Sequence, residues 1–239
     1  MNTRGVLYIY WGDLEDELQR SIESIKKYEL PYHVVKIDSK EAGLYTKSLM
    51  YSFSPFRETL FLDTDTIVLS DVSFGFEMAM RHGLAITIAP GCFASRFTRD
   101  VVSDLVEYNT GVIFWSQSKE VESLFKRWTE LAPYYHINDQ TSFSKAVYEE
   151  RFNPYVLQAN WNFRAHLTPQ LIFGPIKIWH SRAPVPKNIN AWNNKQNIGF
   201  GIFDQDREMI NQELFRRNIP FSIRFFKFLK RIVRIVRKA

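Results

Sequence analysis

Two aspartates one residue apart, Asp63 and Asp65, stand between two apolar runs in the stretch "ETLFLDTDTIVLSDVS", residues 58–73. Burying unpaired carboxylates is costly, so either the chain turns at Asp63 and leaves both in water, or the pair faces something cationic. In extended backbone, residues one apart project to the same side, and both carboxylates can then address one hard divalent ion. Mg²⁺ or Mn²⁺ held by one or two carboxylates, with water and substrate phosphate oxygens completing the shell, is the usual arrangement for phosphate chemistry. Taken alone, an Asp-x-Asp is more often a solvated turn, and its neighbours must decide.

Those neighbours are spread along the chain, and each has a bland reading. Lys47 precedes the strand that carries the Asp pair and is either a charge for a phosphate or a solvated helix residue. Asn109, Thr110 and Gly111 open an apolar run and can be a turn. Asp139 and Gln140 open a helical segment, where Asp139 can act in chemistry or cap the helix. His180 follows an apolar strand and can be a metal ligand or a hydrogen-bonded structural histidine. Tyr10, Trp11 and Asp13 end the first strand; Trp161 and Asn162 lie further on, and the aromatic residues in both places read equally as core.

The elements that must position these residues alternate. "VLYIY" (6–10) is a buried-strand run, Leu14, Leu18, Ile22 and Ile25 recur at helical spacing, and "YHVVKID" (32–38) is a second strand. A helical segment from about Glu41 to Phe53 leads past Ser54-Pro55 to the third strand, "TLFL". This β-α-β-α-β order predicts an α/β fold with a mostly parallel, Rossmann-like central sheet flanked by helices. Further strands are expected at 84–89, 111–115 and 176–179, with helices near 119–131 and 139–149. In such sheets ligands bind beyond the carboxyl ends of the strands, where Asp63, Asp65, Tyr10, Trp11 and Asp13 all fall.

Composition narrows the classes. The chain has 239 residues, 45% of them apolar, with 20 Phe, 11 Tyr and 6 Trp, which suits one packed domain and not disorder. Cys92 is the only cysteine, which excludes an internal disulfide framework and suits a reducing compartment. No stretch reads as a signal peptide or reaches spanning length, so a cytoplasmic address is expected. Residues 221–239 hold seven Lys or Arg and no acid, so the rest of the chain is mildly acidic and gives no support for nucleic-acid binding.

On a helical wheel that tail puts Phe221, Phe225, Phe226, Phe228, Leu229, Ile232, Val233, Ile235 and Val236 on one half and all seven basic residues on the other. A wholly cationic face beside Phe-rich apolar residues is what an interfacial helix on an anionic membrane requires; the other reading is a terminal helix docked on its own domain. The expected division is a catalytic domain over 1–215 and a basic amphipathic membrane-docking tail over 216–239, peripheral on the inner face of the membrane.

Five ordered segments, "YTKSLMYSFSPFRETLFLDTDTIVLSDVS", "YNTGVIFW", "INDQTSFSKAV", "QANWNF" and "IKIWHSR", together resemble the motifs of the GT-A-fold retaining glycosyltransferases of family 8, the group that includes glycogenin and bacterial lipopolysaccharide galactosyltransferases. The resemblance covers about Val6 to Arg182, and it departs from the family pattern after the histidine, in "HSRAPVP". It implies a metal site of Asp63, Asp65 and His180 holding Mn²⁺ or Mg²⁺. It implies Lys47 on the donor phosphate or sugar, Asn109, Thr110 and Gly111 lining the sugar site, and Asp139 and Gln140 facing the anomeric carbon and sugar hydroxyls. Tyr10, Trp11, Asp13, Thr64, Trp161 and Asn162 fall among the donor contacts. The implied activity is transfer of a hexose from a nucleotide diphosphate sugar, UDP-glucose or UDP-galactose, to a glycan or glycolipid with retention, as in lipopolysaccharide biosynthesis. Two rivals stand beside it. "LFLDTDT" also satisfies the signature of haloacid-dehalogenase-type phosphatases, with Asp63 as nucleophile, although two strand-helix units precede it here and "GIFDQD" (201–206) is only a loose match for the late acidic pair. The other is a non-catalytic, membrane-associated scaffold.

Overall fold

The structure is a computed structural model describing residues 3–38, 45–89, 105–135, 138–164, 174–182, 184–187 and 189–190. Strand β1 (Arg4–Trp11) is apolar at almost every position and lies at the centre of the chain's first β-α-β unit, with α1 (Glu15–Lys26) crossing to β2 (Tyr32–Ile37). Helix α1 turns Leu18, Ser21, Ile22 and Ile25 inward, and its first turn carries Glu15, Asp16 and Glu17, where the helix dipole favours acids. Residues 45–47 are helical and pass into the short α2 (Met50–Phe53), then β3 (Glu58–Leu62). There follow β4 (Thr66–Val68), α3 (Ser73–His82), β5 (Leu84–Ile88), β6 (Tyr108–Ser116), α4 (Lys119–Leu131), α5 (Asp139–Glu149), β7 (Tyr155–Leu157) and β8 (Ile178–His180).

Six strands form one sheet in the order β2-β1-β3-β6-β5-β7. The pairs β1·β2, β1·β3 and β5·β7 are parallel; β6 alone runs against its neighbours β3 and β5. The sheet is therefore mostly parallel, as the alternating pattern predicts, with one reversed strand. Strands β4 and β8 make a separate antiparallel pair.

Alternate residues along each strand divide the core into two layers. Val6, Tyr8, Leu60, Leu62, Val112 and Phe114 pack on the face covered by α1 and α3. Leu7, Ile9, Phe61, Ile113 and Trp115 pack on the opposite face with Met50, Phe125, Trp128 and Phe143 from α2, α4 and α5. A third, smaller cluster of Phe163, Ile176, Trp179 and Ile189 supports the β4·β8 pair. Helix α3 presses close enough to the sheet that a Cβ on Gly75 would stand 2.5 Å from the Phe114 ring, which is why a glycine sits inside that helix.

The tail at 216–239, Cys92 and the segment 201–206 lie outside the described residues. Among the described residues, no helix is long and apolar enough to cross a membrane.

Candidate active site

The Asp63 backbone N–H still donates to Gly111 O of β6 at 2.9 Å, but there the chain turns. Thr66 N–H and Thr66 Oγ1 both donate to Asp63 O, at 3.2 and 2.7 Å, closing a tight loop that holds Asp63, Thr64 and Asp65. The loop feeds β4, which pairs antiparallel with β8 so that Thr66 stands opposite His180, and Ser181 N–H donates to Asp65 O at 2.9 Å. This pairing brings the histidine to the aspartates. His180 Nε2 lies 3.1 Å from Asp65 Oδ1 and 3.6 Å from Asp63 Oδ2, and one donor atom from each of the three residues lies within 4.8 Å of the others. Two carboxylates with one imidazole suit a divalent ion such as Mn²⁺ or Mg²⁺. Both readings of the Asp pair thus hold at once: the chain turns, and the carboxylates converge.

The cluster is supported from β6. Between β5 and β6 the register jumps, with Ile86 opposite Ile113 but Thr87 opposite Asn109, so β6 bulges through Thr110, Gly111 and Val112. Bulges re-aim side chains beside functional sites. Here Thr110 Oγ1 donates to Asp139 Oδ2 at 2.6 Å, while Asn109 Oδ1 accepts from Gly111 N–H at 3.0 Å and from Asn162 Nδ2 at 2.9 Å. His180 Nδ1 meets Asn162 Oδ1 at 2.6 Å.

Lys47 joins the two halves of the site. The residue is 6% exposed, and its ammonium lies 2.9 Å from Asp63 Oδ1 and 3.0 Å from Asp139 Oδ2, which excludes the solvated-helix reading. Burial pushes the Lys47 pKa down, but the Asp139 and Asp63 carboxylates outweigh it and hold the pKa well above the usual lysine range. For Asp139, burial acts upward and is outweighed by Lys47 and by the Thr110 hydroxyl, so its carboxyl stays below the usual range. Asp65 behaves alike: burial raises it, His180 and Arg164 lower it, and the net is a strongly depressed value. Asp139 does not cap α5. Asn138 is the N-cap, accepting from Gln140 N–H at 2.8 Å, and this leaves the Asp139 carboxylate to Lys47 and Thr110.

A cavity of about 520 Å³ opens at this edge of the sheet, lined by Asp63, Asp65, His180, Lys47, Asp139, Thr64, Tyr10 and Trp11. In sequence, neither a protein-family model nor a curated protein matches the chain. In structure it is similar to the glycosyltransferase GlyE of Streptococcus pneumoniae TIGR4, with a TM-score of 0.55 and 17% identity over 92% of this chain and 65% of that one. It is also similar to LgtC, in an active-site mutant, with a TM-score of 0.55 and 12% identity over 85% of this chain and 99% of that one. The fold is GT-A. At these identities the likeness is one of fold, and the chain spans just under two thirds of the length of GlyE.

Within the GT-A sheet, the residues singled out from sequence separate into two groups. Tyr10, Trp11, Lys47, Asp63, Thr64, Asp65, Asp139 and His180 line the cavity. Thr110 lies just behind, bonded to Asp139. Asn109 and Asn162 are buried behind His180 and not on the cavity wall, and Gly111 is a strand residue on which His180 and Asp63 rest. Trp161 takes the core reading, its ring 5.8 Å from that of Phe114 and 5.9 Å from that of Phe74. Asp13 is exposed and outside the lining, and Gln140 is held by Glu107 through Nε2 at 3.0 Å and is also outside it.

Three lining residues were not singled out from the sequence: Glu17, Arg164 and Arg182, although Arg182 closes the segment "IKIWHSR". Glu17 Oε1 holds Arg182 Nε at 3.1 Å, and Arg164 Nη1 lies 2.5 Å from His180 Nε2. Arg164 follows directly on "QANWNF", the one sequence signal that could have found it. Among described residues the GT-A cavity sets four carboxylates against three basic side chains, so a divalent cation reverses its charge balance toward an anionic ligand. Asp63 follows the third strand of the sheet, not the first, and the first-strand position is what the phosphatase reading requires.

Proposed function

We propose that this chain is a metal-dependent glycosyltransferase that moves a hexose from a UDP-linked donor to a glycan or glycolipid acceptor with retention of configuration. The observation that carries the reading is the convergence of Asp63, Asp65 and His180 beside the Lys47–Asp139 pair at the ligand edge of a GT-A sheet. A sugar nucleotide resists transfer because negative charge gathers on the departing diphosphate while the anomeric carbon becomes oxocarbenium-like. A divalent ion held by Asp63, Asp65 and His180 supplies Lewis-acid stabilisation of that leaving group.

The chain's own residues supply the rest. Arg164 and Arg182 face the same cavity and favour phosphate oxygens, Arg being suited to such recognition. Tyr10 and Trp11 offer aromatic surface for a base at the end of β1. Asp139, kept ionised and buried against Lys47, places fixed negative charge near the developing cation. A carboxylate with a depressed pKa is a poor base at neutral pH, which fits front-face attack with the leaving phosphate oxygen taking the acceptor proton. The tail at 221–239 docks the domain on an anionic, cytoplasm-facing membrane beside a lipid-linked acceptor.

A panel of nucleotide sugars with Mn²⁺, scored for UDP release and for hydrolysis of a generic phosphomonoester, tests the reading. UDP release that EDTA abolishes and Mn²⁺ restores is the expected result. Phosphomonoester hydrolysis without UDP release would establish the phosphatase instead.

A further inference from the structure

We infer that Asn109 and Asn162 form a hydrogen-bond relay that fixes the His180 imidazole in its Nδ1–H form and so presents the Nε2 lone pair to a divalent cation. The inference rests on the reading of Asp63, Asp65 and His180 as a metal site, and it gives the two asparagines a positioning role in place of the sugar contacts that the sequence resemblance implies.

The direction of the relay follows from its fixed end. The Gly111 backbone N–H can only donate, so the Asn109 atom it meets at 3.0 Å is the carbonyl oxygen. That oxygen lies 2.9 Å from Asn162, and two amide oxygens would repel, so Asn162 turns its NH₂ toward Asn109. The other end of the Asn162 amide is then its oxygen, which lies 2.6 Å from His180 Nδ1 and requires a proton there. Each step leaves the next no choice.

On the other side of the ring, Nε2 stands between a donor and two acceptors: Arg164 Nη1, which carries only N–H, lies 2.5 Å away, and the Asp65 and Asp63 carboxylate oxygens lie 3.1 and 3.6 Å away, so the tautomer is set from the Nδ1 side and a cation among these oxygens finds the Nε2 lone pair. All three relay side chains are buried, with His180 1%, Asn162 4% and Asn109 6% exposed, so water does not compete freely for these bonds. Ligating histidines are generally oriented by a partner on the ring nitrogen away from the metal, and here that partner is itself held in register by the backbone of β6.

Long-range ¹H–¹⁵N NMR of the metal-free protein at pH 8 reads the tautomer directly among the five histidines, with His180 assigned by comparison with His180→Ala. Nδ1–H is the expected form, and an Nε2–H ring overturns the relay. Mn²⁺ binding is measured with MnCl₂ alone by calorimetry and electron paramagnetic resonance. Asn162→Ala is expected to lose the tautomer preference and to bind Mn²⁺ about 10- to 100-fold more weakly, the usual effect of losing such a partner. Asn162→Asp, which keeps an acceptor on Nδ1, is expected to restore the tautomer. Asn162→Ala with wild-type tautomer and wild-type Mn²⁺ affinity would sink the inference. Wild-type protein that shows the tautomer and binds Mn²⁺ but releases no UDP leaves the relay standing and removes only the transferase reading.

Discussion

Gly111 lies directly beneath the His180 ring: a Cβ at this position would stand 2.3 Å from His180 Cε1 and 2.6 Å from Asp63 Oδ2. A glycine is required here for close approach and not for a turn. Gly111→Ala must therefore push His180 and Asp63 off their positions, because the contacts are far inside van der Waals range. The expected outcome is a loss of Mn²⁺ affinity and a fall in kcat/KM of about 100-fold, the scale of an ångström of misplacement, with a stability loss of about 1–3 kcal/mol from overpacking. Calorimetry with MnCl₂ and a urea melt measure the two effects separately.

Lys47 is the only described cation within reach of both Asp63 and Asp139, and removing it strands two carboxylates. Lys47→Met is expected to destabilise the fold by about 3 kcal/mol, the lower end for breaking a buried pair, since Asp63 is partly exposed. The double variant Lys47→Met/Asp139→Asn should recover much of that loss while remaining inactive. Equal instability of the single and double variants in urea melts would show that packing, not charge, is what Lys47 supplies.

Stability should depend on pH on both flanks. Asp65 and Asp139 have folded pKa values below their unfolded value of about 3.9, so their stabilisation is complete above that value and is lost as pH falls through the folded values. Lys47 has a folded pKa above its unfolded value of about 10.4, so its contribution is complete below that value and is lost as pH rises through the folded one. A plateau between about pH 5 and pH 9 is expected, with an acid limb that Asp65→Asn makes shallower. Thermal melts across the range check this.

The basic tail makes a prediction about place. Deleting 221–239 is expected to release the protein from anionic liposomes and to slow transfer to a membrane-embedded acceptor sharply, while hydrolysis of UDP-sugar in solution stays near normal. Each of the seven basic residues is worth about 1 kcal/mol near such a surface, so added salt should have a similar releasing effect. A truncated protein that still sediments with liposomes would assign the helix to the domain instead.

Much of the fold was legible because its signals are long. The buried run of β1, the 3.6-residue spacing of Leu18, Ile22 and Ile25, and the breaks at Pro31 and Pro55 fix the first β-α-β-α-β segment closely. Strands β4 and β7 have three residues each, too few for any period to show. Helix α3 was hidden for a different reason: Gly75, which lowers helical propensity, is there for contact with Phe114. The reversal of β6 is likewise invisible, since a strand buried on both faces reads the same in either direction.

At the site, residue types were legible and atom-level partners were not. Asp63, Asp65 and His180 could be grouped, yet nothing in their spacing says that β4 and β8 pair with Thr66 opposite His180. The resemblance puts Asn109 and Asn162 among the donor contacts; only the bulge in β6 shows that their bonds run inward to the histidine. Asp139 could not be separated from a helix cap until Asn138 was seen to take that position.

The pairing of β4 with β8 also dictates an order in time. As the chain leaves the ribosome, Asp63 and Asp65 emerge early, while the strand that delivers His180 arrives only after α3, β5, β6, α4, α5 and β7 have been made. Domains fold as their segments become available, so the sheet can gather around β1 and β3 while the loop after β3 still waits for its partner. The cluster of Asp63, Asp65 and His180 is thus completed late, and a nascent or prematurely terminated chain that stops short of β8 lacks it whatever else it has built.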